Sequence, residues 1–165
     1  MKKFIVSMLL FLPLCLVAQE IKIAIVNTGE IFNIMPEMDA LENETVALRQ
    51  QFQNEMKVME DEYTRKYEDF MAQGDSLTDN IKQLRVQEIE GIRSRMENFV
   101  PMAQEAIQKK QEELFAPIQE KLMKAIDSVG EENGYTCIMN PQVLLYRGKG
   151  VVDATDKVKA KLGLK

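Results

Sequence analysis

The sequence predicts a mostly helical α+β protein in which a long antiparallel coiled-coil hairpin projects from a small β-containing body. Residues 37–73 contain no Gly or Pro and consist mainly of strong helix formers. The segment IKIAIVNTGEIF, at 21–32, has the pattern of one short strand that enters a helix. Other strand-like segments occur only near the end of the chain. Because a strand needs ladder partners, the chain must return to this strand after the hairpin.

The first eighteen residues have the pattern of a secretory signal peptide. Two lysines form a short positive region, and residues 4–17 are uncharged but too few to span a membrane comfortably. We expect cleavage after Ala18, so that the exported mature chain begins at Gln19. The residues before Cys15 match a lipidation signal poorly. The leader predicts an exported protein with no stable membrane insertion after cleavage.

The composition of the mature chain excludes several classes of function. Nineteen basic residues remain against twenty-six acidic ones, a net charge of minus 7, which argues against nucleic-acid binding. The sequence has no His or Trp, and Cys137 is the one thiol left after cleavage. The residues usual for nucleophilic catalysis, proton transfer and transition-metal binding are therefore nearly absent, and the carboxylates are interpreted as solvated charges on helix surfaces. We predict no enzymatic activity, no cofactor and no metal, and a buried, inert Cys137. RGKG, at 147–150, lacks the Walker spacing and is interpreted as a simple turn.

The first arm helix carries terminal signals at both ends. Pro36 suits the first helical position, and acidic residues follow in the first turn. In AQGDSLTDNIK, at 72–82, Gly74 is predicted to stop the helix in a left-handed conformation, and Ser76 to cap the return helix. The tip of the hairpin would therefore lie near 74–76.

The return helix is predicted to run from residue 77 to about residue 129. Pro101 and Pro117 should each bend it. The bend at Pro101 is either a hinge that lets the arm flex or a tolerated kink, and the sequence leaves both interpretations open. The whole arm would comprise residues 37–128.

Apolar residues recur along both arm helices at helical spacing, as expected of a coiled pair. On the first helix the steps of 4, 4, 3, 4, 4 and 3 give an 11-residue period, which favours a straight or slightly right-handed pair. This stripe consists of Leu48, Phe52, Met56, Met59, Tyr63, Tyr67 and Phe70. The return stripe, which Glu88 interrupts, consists of Leu77, Ile81, Leu84, Ile92, Met96, Phe99, Ala103 and Ile107.

The body is predicted to combine residues 19–36 with residues 129–165. GYTCIMN, at 134–140, and QVLLYR, at 142–147, are rich in strand-forming residues and are predicted to pair with the first strand. Asp153 is predicted to cap a final helix. Such a body lies at the lower size limit for a core without disulfides and leaves strand edges exposed, which favours oligomerisation.

Several segments carry a resemblance to a known family. They are KIAIVNTGEIF after the leader, LENE at 41–44, the Ala-Gln-Gly turn at the tip, and the closing YRGKGVVDATDKVKAKL. In this order the sequence resembles the Skp/OmpH family of periplasmic chaperones over nearly the whole mature chain. The resemblance implies a jellyfish-like homotrimer with a central β body and three helical arms around a cavity. It also implies an ATP-independent holdase that binds unfolded outer-membrane β-barrel proteins in that cavity and prevents their aggregation.

Flexible, polarizable side chains on the arms suit a protein that binds many clients weakly. Each candidate either packs in the hairpin seam or contacts clients, and the sequence does not decide which. The candidate client-binding residues are Met56, Met59, Tyr63, Tyr67, Phe70, Met71, Met96, Phe99, Val100 and Met102. The candidate residues of the trimer body are Ile23, Ile25, Ile138, Leu144 and Tyr146.

Some relatives are described as carrying basic arms suited to anionic lipid or lipopolysaccharide, whereas the arms of this chain are acidic. Residues 37–128 hold twenty acidic and twelve basic residues, a balance that disfavours binding to anionic lipid or lipopolysaccharide. A local basic patch near the tip remains as a candidate, formed by Lys82, Arg85, Arg93 and Arg95. The alternative function is a structural or adaptor coiled coil that bridges cell-envelope components. The expected partners are unfolded outer-membrane proteins and further copies of the chain.

Overall fold

The computed structural model describes residues 21–164 and confirms the mostly helical α+β class, with a long helical hairpin and a small strand body. The predicted signal peptide and Gln19 lie outside the described residues. The elements are β1 (Ile23–Ile25), α1 (Thr28–Phe32), α2 (Pro36–Gln73), a 3₁₀ turn (Gly74–Ser76), α3 (Asp79–Asn133), β2 (Cys137–Met139), a 3₁₀ turn (Pro141–Val143), β3 (Val152–Asp153) and α4 (Thr155–Lys161).

The three strands form one parallel sheet in the order β2-β1-β3. Ile23 lies opposite Cys137 in the register of β1 and β2, and Ala24 lies opposite Val152 in the register of β1 and β3. The central strand therefore finds both of its partners beyond the hairpin, as the sequence predicted. A parallel pair requires a long crossover connection, and here the whole hairpin serves as the connection between β1 and β2.

The predicted strand at 142–147 is wrong. Pro141 begins a 3₁₀ turn, in which the side chain of Asn140 accepts a hydrogen bond of 3.0 Å from the backbone N–H of Gln142. The free edge of β1 is instead taken by β3. The apolar residues of 142–147 therefore have no ladder to join, and Tyr146 is 85% exposed.

The residue predicted to cap the last helix lies one position too early, since Ala154 is the N-cap and makes no side-chain capping hydrogen bond. The backbone N–H of Thr155 donates a hydrogen bond of 3.1 Å to Oδ1 of Asp153, the last residue of β3, which precedes the N-cap. After Lys161 the chain leaves the helix at Leu162 and Gly163, and Gly163 has φ of 74°. The N–H of Leu164 donates to the carbonyl of Lys159 over 2.9 Å, a pattern typical of a glycine-terminated helix.

The hairpin has the predicted antiparallel arms, but its tip differs in detail. Gly74 has φ of −52°, in the right-handed region, and begins a 3₁₀ turn, so it is not a left-handed stop. The hydroxyl of Ser76 donates to the carbonyl of Gln73 over 2.7 Å and does not cap the return helix. The N-cap position of α3 is occupied by Thr78, whose side chain makes no capping hydrogen bond.

The return helix is longer than predicted and unbroken. It continues through Pro101 and Pro117 and ends at Asn133, followed by Gly134 as C-cap in the left-handed conformation with φ of 64°. With 38 and 55 residues, α2 and α3 are about 57 and 82 Å long. The last part of α3 extends past the start of α2 into the body, where it packs on the sheet.

The core of the body lies between the sheet, α1, α4 and the last third of α3. Ile118, Leu122 and Val129 are buried at helical spacing on one side of α3 and cover the sheet. The cluster consists of Ala24, Val26, Ile31, Met35, Ile118, Leu122, Ala125, Ile126, Val129, Ala154 and Val158. No helix within residues 21–164 has the length and apolarity that a membrane span requires.

The expected burial of Cys137 is wrong, since its side chain is exposed. It lies in β2, an outer strand of the sheet, and successive side chains of a strand point to opposite faces. The next residue, Ile138, packs against the core. Cys137 therefore faces away from the core.

Replacing Gly134 by Ala should lower the free energy of unfolding by about 1 kcal/mol, because an L side chain is strained at positive φ. Gly91 provides the matched control. It lies inside α3 with open space around it, so Gly91→Ala should raise stability by roughly 0.5–1 kcal/mol. Urea unfolding followed by circular dichroism measures both, and equal shifts for the two variants would contradict the assigned backbone conformation.

Candidate functional site

The two arm helices meet along an apolar seam that includes an aromatic pair. The rings of Phe52 in α2 and Phe99 in α3 meet edge to face, with their centroids 5.7 Å apart. An aromatic pair in this geometry adds about 0.5–1.5 kcal/mol beyond its buried area. At the root of the hairpin, Phe115 of α3 instead meets Phe32, the last residue of α1, with centroids 5.3 Å apart. Aromatic contacts therefore join the arms to each other and α3 to the body.

Four ion pairs also link the two helices. In one of them the ammonium of Lys110 lies 3.0 Å from the carboxylate of Glu44, and in another the guanidinium of Arg95 lies 3.7 Å from Glu62. The four pairs are Glu37 with Lys121, Glu44 with Lys110, Glu62 with Arg95, and Lys66 with Glu88. Glu44 and Glu62 are eighteen residues apart, which is about five full turns, so they lie on the same side of α2. We call this side the ion-pair face.

Away from the ion-pair face, the seam opens into a groove of about 310 Å³. Gln53, at its rim, lies nine residues after Glu44, which is about two and a half turns and therefore half-way round α2. The groove is lined by Arg49, Phe52, Gln53, Met56, Phe99, Val100, Ala103, Gln104 and Ile107. We call this surface the arm groove. Most of its lining is apolar, with polar side chains at the rim.

The residue that interrupts the apolar stripe, Glu88, is held by two cations. Lys66 lies 2.5 Å and Arg85 lies 3.0 Å from its carboxylate oxygens. The hydrogen bond from Lys66, followed by the one from Arg85, lowers the pKa of Glu88 below its ordinary value of 4.5. The interruption of the stripe is therefore a charged crosslink between the arms.

Comparison with known proteins identifies the family. Residues 22–162 match the family described as Outer membrane protein (OmpH-like). The chain belongs to the OmpH-like family. No curated protein matches this OmpH-like chain. Its fold is similar to the crystal structure of a protein from Caulobacter crescentus that is described as an OmpH-like outer membrane chaperone, with a TM-score of 0.76 and 11% identity. The similarity covers 87% of this chain and 84% of the other.

The structure divides the ten candidate client-binding residues of the OmpH-like chain into two groups. Six are half-buried along the arms, and four are exposed. The half-buried residues are Met56, Met59, Tyr63, Phe70, Met96 and Phe99. The exposed residues are Tyr67, Met71, Val100 and Met102. Most of the predicted residues thus contribute to the seam, and the second group offers free apolar surface.

The structure also shows arm residues that the sequence analysis did not single out. Arg49, Gln53 and Gln104 line the arm groove. Val58 is 66% exposed, more than most of the predicted arm candidates. The stripes were a usable signal for these residues, because each is adjacent in sequence to a stripe residue and therefore lies beside the seam. The prediction included only residues of the apolar stripes and their immediate apolar neighbours, so it did not include the polar residues that flank them.

The candidate residues of the body also differ in exposure. Ile25 is buried inside the chain, whereas Ile23, Ile138 and Leu144 are half-buried. Tyr146 is almost fully exposed. Ile25 therefore contributes to the internal core, and Tyr146 has the most surface available for another molecule.

The candidate basic patch is largely neutralised within the chain. Arg85 pairs with Glu88, and Arg93 pairs with Glu97. Arg95 pairs with Glu62, which leaves Lys82 as the one member outside a described ion pair. Among residues 21–164 there is also no group of His, Cys, Asp and Glu side chains that could hold a metal ion.

We expect Glu88→Gln to lower the melting temperature at pH 7, because it removes the charge that Lys66 and Arg85 stabilise. Since the folded-state pKa of Glu88 is lowered, its contribution is present above the ordinary pKa and disappears as the pH falls through the folded-state value. The difference between wild type and variant should therefore shrink as the pH is lowered below 4.5. Glu90→Gln, at an exposed position without a described ion pair, is the control. A difference that stays constant as the medium is acidified until the protein unfolds would contradict the role given to this charge.

Proposed function

We propose that this protein is an ATP-independent periplasmic holdase that binds unfolded outer-membrane β-barrel proteins between helical arms and prevents their aggregation. Membership of the OmpH-like family supports the proposal. The fold similarity to a protein described as an outer membrane chaperone agrees with it. The leader, which is typical of exported proteins, supports the periplasmic location.

The observation that carries the proposal is the exposed apolar surface of a hairpin that projects from the body. Tyr67, Met71 and Val100 are each at least 45% exposed on the arms. Within residues 46–91, which comprise most of α2, the tip and the start of α3, no side chain is fully buried. A surface of this kind can contact many different unfolded segments because it does not demand one shape.

Self-association into a trimer is part of the proposal, and the body supports it. Outer strands β2 and β3 each have one edge without a ladder partner in the described part of the chain. Val143, Leu145 and Tyr146 lie in the segment that connects β2 and β3, with 73%, 106% and 85% exposure. Adjacent apolar side chains with this exposure are typical of surfaces that another chain covers. Three copies joined here would hold three hairpins around one cavity.

A refolding experiment tests the holdase activity. A urea-unfolded outer-membrane porin is diluted into buffer with or without the mature protein, and light scattering records aggregation. We expect one trimer per porin to suppress most of the scattering without ATP, because apolar segments of the porin are covered on the arms. Unchanged scattering at this ratio would refute the proposal. Capture of one folded envelope protein in fixed ratio, and of no porin, would favour the adaptor function.

The mass in solution tests the assembly. Tyr146→Asp should shift the mature protein from trimer to monomer, because a charge would be placed in the proposed contact. Val46→Asp introduces the same charge on the arm, at an exposed position, and should leave the trimer intact. Light scattering after size exclusion measures both variants. A monomeric wild type would refute the trimer.

A further inference from the structure

The ion-pair face and the side with the arm groove differ in chemistry. This difference indicates which side of the hairpin contacts clients and which kind of client it prefers. We infer that clients bind the side of the arm that carries the arm groove, and that the preferred clients are unfolded segments combining apolar side chains with Lys or Arg. This inference rests on the proposed holdase function and assigns a surface and a client chemistry to it.

The arm groove continues as an apolar strip toward the tip. Tyr63 and Tyr67 lie seven and eleven residues after Met56, which is about two and three turns, so all three occupy nearly the same side of α2. The rings of Tyr63 and Tyr67 are stacked, with centroids 6.1 Å apart. Val100 provides exposed apolar surface at the groove. An extended segment can therefore follow the strip along the arm.

The ion-pair face also has exposed apolar residues, but in a different setting. Val58 lies four residues before Glu62, about one turn away, and Met102 lies seven residues after Arg95, about two turns away. Glu62 and Arg95 bridge the helices on this side. An apolar client that covered these charges would desolvate them without offering new partners, which opposes binding. Val100 and Met102, only two residues apart in α3, thus differ in their expected contact with clients.

The ion pairs also determine the charge that clients meet. Residues 37–128 contain twenty acidic and twelve basic side chains. Eight of the basic side chains, but only seven of the acidic ones, are engaged in ion pairs there. Thirteen carboxylates therefore remain against four cations, Arg49, Lys57, Arg65 and Lys82. Two of these free carboxylates, Glu42 and Glu60, lie eleven residues before and seven residues after Gln53, about three and two turns away, so they flank the arm groove on α2, where Arg49 is the charged residue of the lining. The excess of free carboxylates over the whole arm complements a client that carries positive charge.

Matched double variants test the assigned side. Val100→Ser with Tyr67→Ser removes apolar surface beside the groove, at residues 45% and 46% exposed. Val58→Ser with Met102→Ser is the control on the ion-pair face, at residues 66% and 50% exposed. Binding of urea-unfolded porin to each mature protein is measured by titration, with thermal melts to verify folding. We expect the first variant to bind about tenfold more weakly, and the second to bind as wild type does. Equal losses, or a larger loss in the control, would overturn the assigned side.

A pair of synthetic unstructured peptides tests the client chemistry. Both carry the same apolar residues, and one has four Lys where the other has four Glu. We expect the Lys peptide to bind about tenfold more tightly than the Glu peptide at low salt. The difference in affinity should shrink in about 0.5 M NaCl, where charges are strongly screened. Equal affinity of the two peptides would overturn the charge preference but leave the holdase function intact. Failure of the wild type to bind unfolded porin would instead overturn the proposed function itself.

Discussion

The structure depends on the parallel pairing of β1 with two strands from the far end of the chain. The N–H of Val26 donates to the carbonyl of Met139 over 3.0 Å, and the N–H of Ala154 donates to the carbonyl of Ile25 over 2.9 Å. These bonds join segments separated by more than a hundred residues, so the residues between them must leave the sheet and return. A helical hairpin achieves this with its own backbone hydrogen bonds satisfied, and its length is free to vary because the sheet constrains only the two ends.

The long excursion creates a protein with two unequal kinds of packing. The body has a compact core in which Ile31, Leu122 and Val158 are fully buried. The arms, by contrast, have one narrow seam, and most side chains along them keep contact with water. Local stability follows the density of buried apolar contacts, so the arms belong to the less stable part of the molecule. A rigid base and adaptable arms can thus coexist in one chain, which suits the proposed binding of unfolded proteins.

The inter-helix ion pairs give the hairpin its two sides. Individually, exposed pairs such as Lys110 with Glu44 contribute little to stability. Collectively the four pairs engage four of the twelve cations of the arms and place charged groups on one side of the seam. The other side keeps its apolar surface, with Val100 and Tyr67 exposed. A partner that approaches the hairpin therefore meets a charged bridge on one side and an apolar strip on the other, on an arm that carries more carboxylates than cations.

The sequence by itself determined the features that depend on local chemistry. The absence of Gly and Pro after Pro36 determined the first arm helix, and the distant strand-forming segments determined that the chain returns to β1. The tertiary structure decided which segment pairs with β1. Residues 142–147 have higher strand propensity than Val152 and Asp153, but the turn at Pro141 removes the first segment from the sheet, and β3 takes its place. Tertiary packing likewise decided which arm residues are buried and which are free. A stripe at helical spacing locates the seam, whereas the exposure of Val100 depends on how closely the second helix approaches.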